Sequence, residues 1–268
     1  MGIAEICQFT LLQTPLHPLI LIVSYLLFVL KLGPIWMKNR QQFEMKKVLM
    51  LYNTSQIFFN ASLFVELVPL LFKLNLFCGP IEKSELTMYS TLMVLCYKYI
   101  LLKVYDMVET GFFVLRKSHR QITFLHVYHH VVIFGTSWIC AKYFLESRKY
   151  PLGPILVFGV WNTFVHSLMY TYYLLSINGS LRQLWWKKCI TLLQLAQHST
   201  MLVTTAVDAI NDKCPYPMHM QLVGLINFSL MVYLFSRFYL EAYCAKNKNF
   251  DRIGASGMLL TLPRNHSE

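Results

Sequence analysis

Seven apolar stretches, set apart by short polar breaks, give this chain its plan. They run about Pro18–Leu32 (extendable to Trp36), Val48–Phe72, Thr87–Leu115, Ile122–Phe144, Gly153–Ser176, Cys189–Ile210 and Met218–Ala245. These lengths suit an α-helix that crosses hydrocarbon, which needs about 20 mostly apolar residues. The breaks are Gly33-Pro34 with the basic run Met37–Lys47, Cys78-Gly79-Pro80, Arg116–Arg120, Glu146–Leu152, Asn178-Gly179-Ser180 and Asp212–Pro217. Gly and Pro there mark turns. The pattern predicts an all-α polytopic membrane protein with seven transmembrane helices. It forms one domain over residues 1–268, with a short N-terminal segment and a polar tail from about 246.

Polar residues interrupt the stretches at helical spacing. His126, His129 and His130 stand at i, i+3 and i+4 in the fourth stretch and share one face. In the third, Lys103, Asp106 and Thr110 lie on one face, with Glu109 about 60° beside it. The fifth carries Asn162, His166, Met169, Tyr170 and Tyr173, and the sixth Thr191, Gln194, Gln197 and His198. The second holds Asn53, Ser55, Gln56 and Asn60, which need partners inside a bundle. Polar groups at membrane depth must find protein or water, so the simplest packing turns the stripes into one interior. Each stripe has a bland reading. A Lys with a carboxylate at i+3 is a structural ion pair, amides bridge helices at roughly 0.6 kcal/mol each, and a lone His fills a core. Each also has a chemical one, because intramembrane ionisable groups mark function by default. Three clustered imidazoles favour chemistry. Imidazole also suits Zn, Fe and Cu, but the chain has a single histidine box, and no metal is expected.

Composition fits the membrane class. Hydrophobic residues make up 56% of the chain and charged residues 14%, against roughly 45–50% and 25% in soluble domains. The net charge of +11 lies mostly in the breaks after stretches one, three and five and in the tail, which places the C-terminus in the cytosol by the positive-inside rule. Seven spans then put the N-terminus on the lumenal or extracellular side. Topology accounts for the basic excess, and no nucleic-acid partner is expected. Met1–Thr14 lacks a basic n-region, so the first stretch reads as a retained span. Cys78 and Cys214 fall in non-cytosolic loops, where a disulfide is allowed; two free thiols would satisfy the sequence equally. The sequons at Asn53, Asn60, Asn178, Asn227 and Asn265 lie in helices or on the cytosolic side, and none is expected to carry glycan.

The motifs together resemble the ELO fatty-acid elongases. The matching stretches are Leu32-Gly33-Pro34-Ile35-Trp36-Met37-Lys38-Asn39-Arg40, Phe112-Phe113-Val114-Leu115-Arg116-Lys117, His126-Val127-Tyr128-His129-His130, Asn162 through Tyr173, and Thr191-Leu192-Leu193-Gln194-Leu195-Ala196-Gln197. The resemblance spans about Leu32 to Lys248. One departure stands out. The family pattern K-x-x-E-x-x-D-T reads Lys103-Val104-Tyr105-Asp106-Met107-Val108-Glu109-Thr110, with the acids exchanged.

The resemblance implies spans two to seven closed into a barrel around an acyl tunnel, with span one outside. It implies a very-long-chain 3-oxoacyl-CoA synthase, an acyltransferase of the endoplasmic reticulum membrane that condenses acyl-CoA with malonyl-CoA. No cofactor is implied. Membrane lipid, a homo-oligomer and a complex with the ketoacyl reductase and dehydratase are the partners implied. His126, His129, His130 and His166 would be catalytic, with His129 taking the acyl group. Lys103, Asp106, Glu109, Asn162, Tyr170, Tyr173, Gln194 and Gln197 would meet substrate, and Arg116, Lys117, Lys187 and Lys188 the CoA phosphates. From topology alone a seven-span receptor or transporter stays open, and the histidines leave open a metal-dependent desaturase or hydroxylase.

Overall fold

The computed structural model describes residues 10–78, 86–145, 147–177 and 184–244. The predicted turn at Asn178-Gly179-Ser180, Arg182, the Gly79-Pro80 break and the tail from 245 onward lie outside the described residues. After a single turn at Thr10–Gln13, seven long helices follow. They are α1 (Leu16–Met37), α2 (Lys46–Phe72), α3 (Tyr89–Leu115), α4 (Phe124–Tyr143), α5 (Gly153–Ile177), α6 (Leu184–Ala209) and α7 (Met218–Cys244). No strand occurs among the described residues.

Local chemistry sets the ends nearest the histidines. Thr123 caps α4, its hydroxyl accepting from the His126 amide at 3.2 Å. Upstream, α3 stops at a paired C-terminal turn. The Lys117 amide bonds the Val114 carbonyl and the Ser118 amide bonds that of Phe113, with Lys117 in the left-handed region at φ 54°. These two devices turn the chain sharply and bring the first turn of α4 beside the last turns of α3.

Helix neighbours close a ring. α2 packs on α5, α5 on α6, α6 on α7, α7 on α4, α4 on α3, and α3 on α2. Consecutive helices reverse direction, so each ring neighbour is antiparallel. α1 packs on α3 and α4, and its Gly33 makes the close approach. A Cβ there would meet Val114 Cγ1 at 2.7 Å.

The ring is apolar outside and buries its polar residues within. Leu51, Val65 and Ile226 are 74%, 67% and 69% exposed, while Gln56, Asn60, Lys103 and Asp106 are wholly buried. A soluble protein does the opposite; lipid outside explains both halves. Four helices, α1, α2, α4 and α7, are long and apolar enough to cross a membrane. α3, α5 and α6 are long too, but they carry the polar stripes. The protein is a multi-pass membrane protein.

The end opposite the histidines is tied across the ring. A disulfide joins Cys78, beyond α2, to Cys214, between α6 and α7. Asn211 Nδ2 donates to the Cys78 carbonyl at 2.9 Å. Gly153 opens α5 against the segment after α2, where a Cβ would sit 2.0 Å from the Asn75 carbonyl oxygen. The sequon residues Asn53 and Asn60 are buried on α2, and Asn227 faces the interior.

Candidate active site

Asp106 is the hub of the polar interior. Its Oδ2 accepts from Lys103 Nζ at 2.8 Å, and its Oδ1 accepts from Gln56 Nε2 at 2.8 Å and the Tyr170 hydroxyl at 3.4 Å. His166 Nδ1 lies 3.7 Å from Oδ2. Lys103 and Asp106 have no exposed side-chain surface. A buried ion pair survives only when its remaining hydrogen-bond capacity is filled, and here three helices fill it. The Lys103 ammonium also stands 4.8 Å over the Tyr99 ring. The Tyr99 hydroxyl in turn donates to Asn162 Oδ1 at 2.7 Å. Lys98 faces the other way and pairs with Glu66 of α2 at 2.5 Å in a half-exposed site.

Beside this hub the histidines converge from three helices. His129 is the centre. Its ring lies 5.7 Å from His130, 6.2 Å from His166 and 6.2 Å from His198. His126 and His130 are 4.4 Å apart. His126 Nε2 bonds Thr110 Oγ1 at 2.9 Å, and that hydroxyl meets Tyr25 of α1 at 3.0 Å. The outer helix thus braces the first histidine through one threonine. The Nδ1 atoms of His130, His166 and His198 are buried without a hydrogen-bond partner in the protein. Such atoms are costly to leave idle.

The exchanged acids do different work. Asp106 serves the lysine, while Glu109 is 7% exposed and faces the histidines. Glu109, His126 and His130 offer ligand atoms that all lie within 4.8 Å of one another. A carboxylate with two imidazoles is a set that iron or zinc accepts. A second group, Cys78, Asp208 and Cys214, has both sulfurs in the disulfide.

The remaining expected residues sort by position. Tyr173 stacks edge-on to Tyr170 at 5.9 Å. Gln194 lies 3.7 Å from Met169 Sδ, between α6 and α5, and Gln197 is buried with its Nε2 unpartnered. Arg116 and Lys117 form the turn after α3; Lys117 Nζ is 3.5 Å from the Lys38 carbonyl. Lys187 and Lys188 are exposed at the start of α6, over Phe238 and Tyr239 of α7 at 6.0 and 5.7 Å. These four cations occupy helix ends on the histidine side. The sequence marks Gln56 and His198 as interior polar residues without assigning them a role at the site, and it does not distinguish Tyr52 or Tyr99. Helical spacing held the signal: Tyr52, Gln56 and Asn60 form one i, i+4 row, and Tyr99 precedes Lys103 by four.

A cavity of about 290 Å³ opens from this centre. His129 and His198 stand at one end. Its walls are mostly apolar, among them Ile133, Phe158, Met201, Val223 and Phe228. All six ring helices contribute and α1 contributes nothing.

Residues 10–250 match the GNS1/SUR4 (ELO) family. The very long chain fatty acid elongase 4 of Homo sapiens is 35% identical over 240 residues, covering 87% of this chain and 73% of its own. The elongase 7 of Drosophila melanogaster is 33% identical over 244 residues, covering 90% and 72%. The elongase 2 of Mus musculus is 35% identical over 239 residues, covering 88% and 79%. With the family matched across nearly its whole length, a histidine centre at the head of an apolar cavity, and six helices closed around both, the chain belongs to the ELO family of fatty acid elongases.

Proposed function

We propose that this protein condenses a long-chain acyl-CoA with malonyl-CoA, giving a 3-ketoacyl-CoA two carbons longer, CO2 and free CoA. One observation carries the reading. The His129 imidazole sits where the polar centre meets the apolar cavity, so a thioester carbonyl at the ring leaves its alkyl chain in the cavity. Neutral imidazole is a competent nucleophile for a thioester. His129 attacks the acyl carbonyl, the C–S bond breaks, and CoA leaves with a proton. The acyl-imidazole waits for malonyl-CoA. Loss of CO2 leaves an enolate whose carbon attacks the acyl carbon, and His129 departs. His166 and Asn162 face the oxyanion and enolate charge, and His126 and His130 move protons. Arg116, Lys117, Lys187 and Lys188 take the CoA phosphates at the open end.

The topology is seven spans, with the C-terminus in the cytosol and the membrane that of the endoplasmic reticulum. Malonyl-CoA then meets the histidine end of the ring. The test is an elongation assay on purified protein with radiolabelled malonyl-CoA and a panel of acyl-CoAs. The expected result is label in a longer 3-ketoacyl product, lost in His129→Ala. Mass spectrometry without malonyl-CoA should find the acyl group on His129; active enzyme with no adduct would exclude the two-stage route.

The Glu109, His126 and His130 set favours one second reading, a metal-dependent lipid oxidase such as a desaturase. Iron at one equivalent per chain, with oxygen consumption and no malonyl incorporation, would establish it instead.

A further inference from the structure

The cavity meets two of the clustered histidines, and the chemistry above employs one of them. Among the described residues His129 and His198 line it, while His126, His130 and His166 do not. His198 belongs to α6, where it forms one stripe along the cavity wall with Met201 and Thr205 at i, i+3 and i+7. It is the member of that stripe beside the histidine centre. Its ring lies 6.2 Å from that of His129, with 82° between planes.

Packing explains only part of this residue. His198 is 4% exposed, and its ring stacks on Phe235 of α7 at 5.2 Å with 26° between planes. A phenyl ring would fill that place as well. The Nδ1 of His198, however, is buried with no hydrogen-bond partner in the protein, and a polar atom left so is costly. Neutral imidazole carries one N–H. Nothing in the protein receives a proton at Nδ1, which leaves the proton on Nε2. With Nδ1 enclosed, the edge of the ring that carries Nε2 is the one left to meet the cavity. Among the described residues His198 joins neither cluster of convergent metal-ligand atoms.

We infer that His198 is a further catalytic residue, the donor that holds the acyl carbonyl oxygen while His129 attacks the carbonyl carbon. The inference rests on the acyl-CoA reading of the site. A carbonyl whose carbon is bonded to one imidazole and whose oxygen accepts from another spans about 6–7 Å between ring centres. The two rings stand at that separation. As the His129 nitrogen bonds the acyl carbon, the C=O electron pair moves onto oxygen, and the His198 N–H meets the charge. When the pair returns, the C–S bond breaks. The sulfur leaves as CoA thiol with the proton that His129 gives up, and His198 keeps its own proton throughout. His166 is equally near His129 from α5, so the oxyanion has a donor on each of two helices.

The experiment compares full-length wild type with His198→Phe, His198→Met and His198→Gln. Phe keeps a ring against Phe235 and has no donor. Met and Gln match each other in shape, and only Gln has an N–H. Each protein is assayed for 3-ketoacyl product with radiolabelled malonyl-CoA, and for acyl adduct on His129 without it. His198→Phe should lower kcat by about 10²–10³-fold, slow adduct formation by a similar factor, and leave the melting curve in place. KM for acyl-CoA should stay within about threefold, because the donor acts on the transition state. His198→Gln should exceed His198→Met in rate by about tenfold or more. If the phenylalanine variant fails to fold, the Gln and Met pair decides. A folded Phe or Met variant at the wild-type rate, or Gln and Met variants equally slow, overturns the assignment and leaves the condensing reaction standing. An active wild type with no adduct on His129 removes the two-stage route and the assignment together. A folded wild type that elongates no acyl-CoA overturns the acyl-CoA reading, and the assignment with it.

Discussion

The buried Lys103–Asp106 pair yields the sharpest test of how the ring is held together. Both side chains are fully buried, 2.8 Å apart. Lys103→Met leaves the Asp106 carboxylate with only Gln56, Tyr170 and the nearby His166 around it. Asp106→Asn leaves the ammonium with the Tyr99 ring and a neutral amide. Breaking one side of a buried pair costs about 3–5 kcal/mol, because a charge stays behind. The double variant leaves no charge, so it should cost only the lost hydrogen bonds, about 1–3 kcal/mol. At this chain length 1 kcal/mol moves the melting temperature by roughly 2 °C. Each single variant should then melt about 6–10 °C below wild type, and the double variant higher than either. The assay is thermal unfolding of detergent-purified protein, followed by size-exclusion recovery, as a double-mutant cycle. A double variant that falls by the sum of the two single losses would show that the charges do not act as a pair, and the reasoning fails.

Further predictions follow from other parts of the molecule. Gly153→Ala should destabilise by about 1–3 kcal/mol, seen in the same melting assay, because the new Cβ would meet the backbone at Asn75. Lys117→Gly should raise the melting temperature slightly, by about 1 kcal/mol of relieved strain, since Lys117 holds φ 54° in the turn after α3. Non-reducing peptide mapping should recover Cys78 linked to Cys214, with Cys96 and Cys140 alkylated, and reductant should lower the melting temperature. His129→Ala and His166→Ala should each lower elongation at least about 10²-fold while leaving the melting curve within a few degrees, read from product formation beside unfolding.

The helices themselves were legible because their signal is one-dimensional. Apolar length, Gly and Pro at the breaks and the spacing of polar residues located α1 to α7 within a few residues of their observed ends, α6 excepted. That helix starts at Leu184 rather than Cys189, because Trp185, Trp186 and the two lysines are amphipathic and suit a membrane interface as well as a loop. Periodicity also put His126, His129 and His130 on one face, and Asn162 with His166 on another. It did not say which faces meet. Asp106 is reached by Gln56 of α2 and Tyr170 of α5, and His129 lies as near His198 as His166. Those meetings depend on the ring closing α7 against α4, which is a property of all the helix contacts at once. The exchanged acids show the same division. The sequence by itself determined that this chain carries two carboxylates three residues apart inside a long, mostly apolar helix. Only the tertiary structure decided that Asp106 is locked to a lysine while Glu109 faces two imidazoles, because a carboxylate's role is set by the donors around it, and those come from other helices.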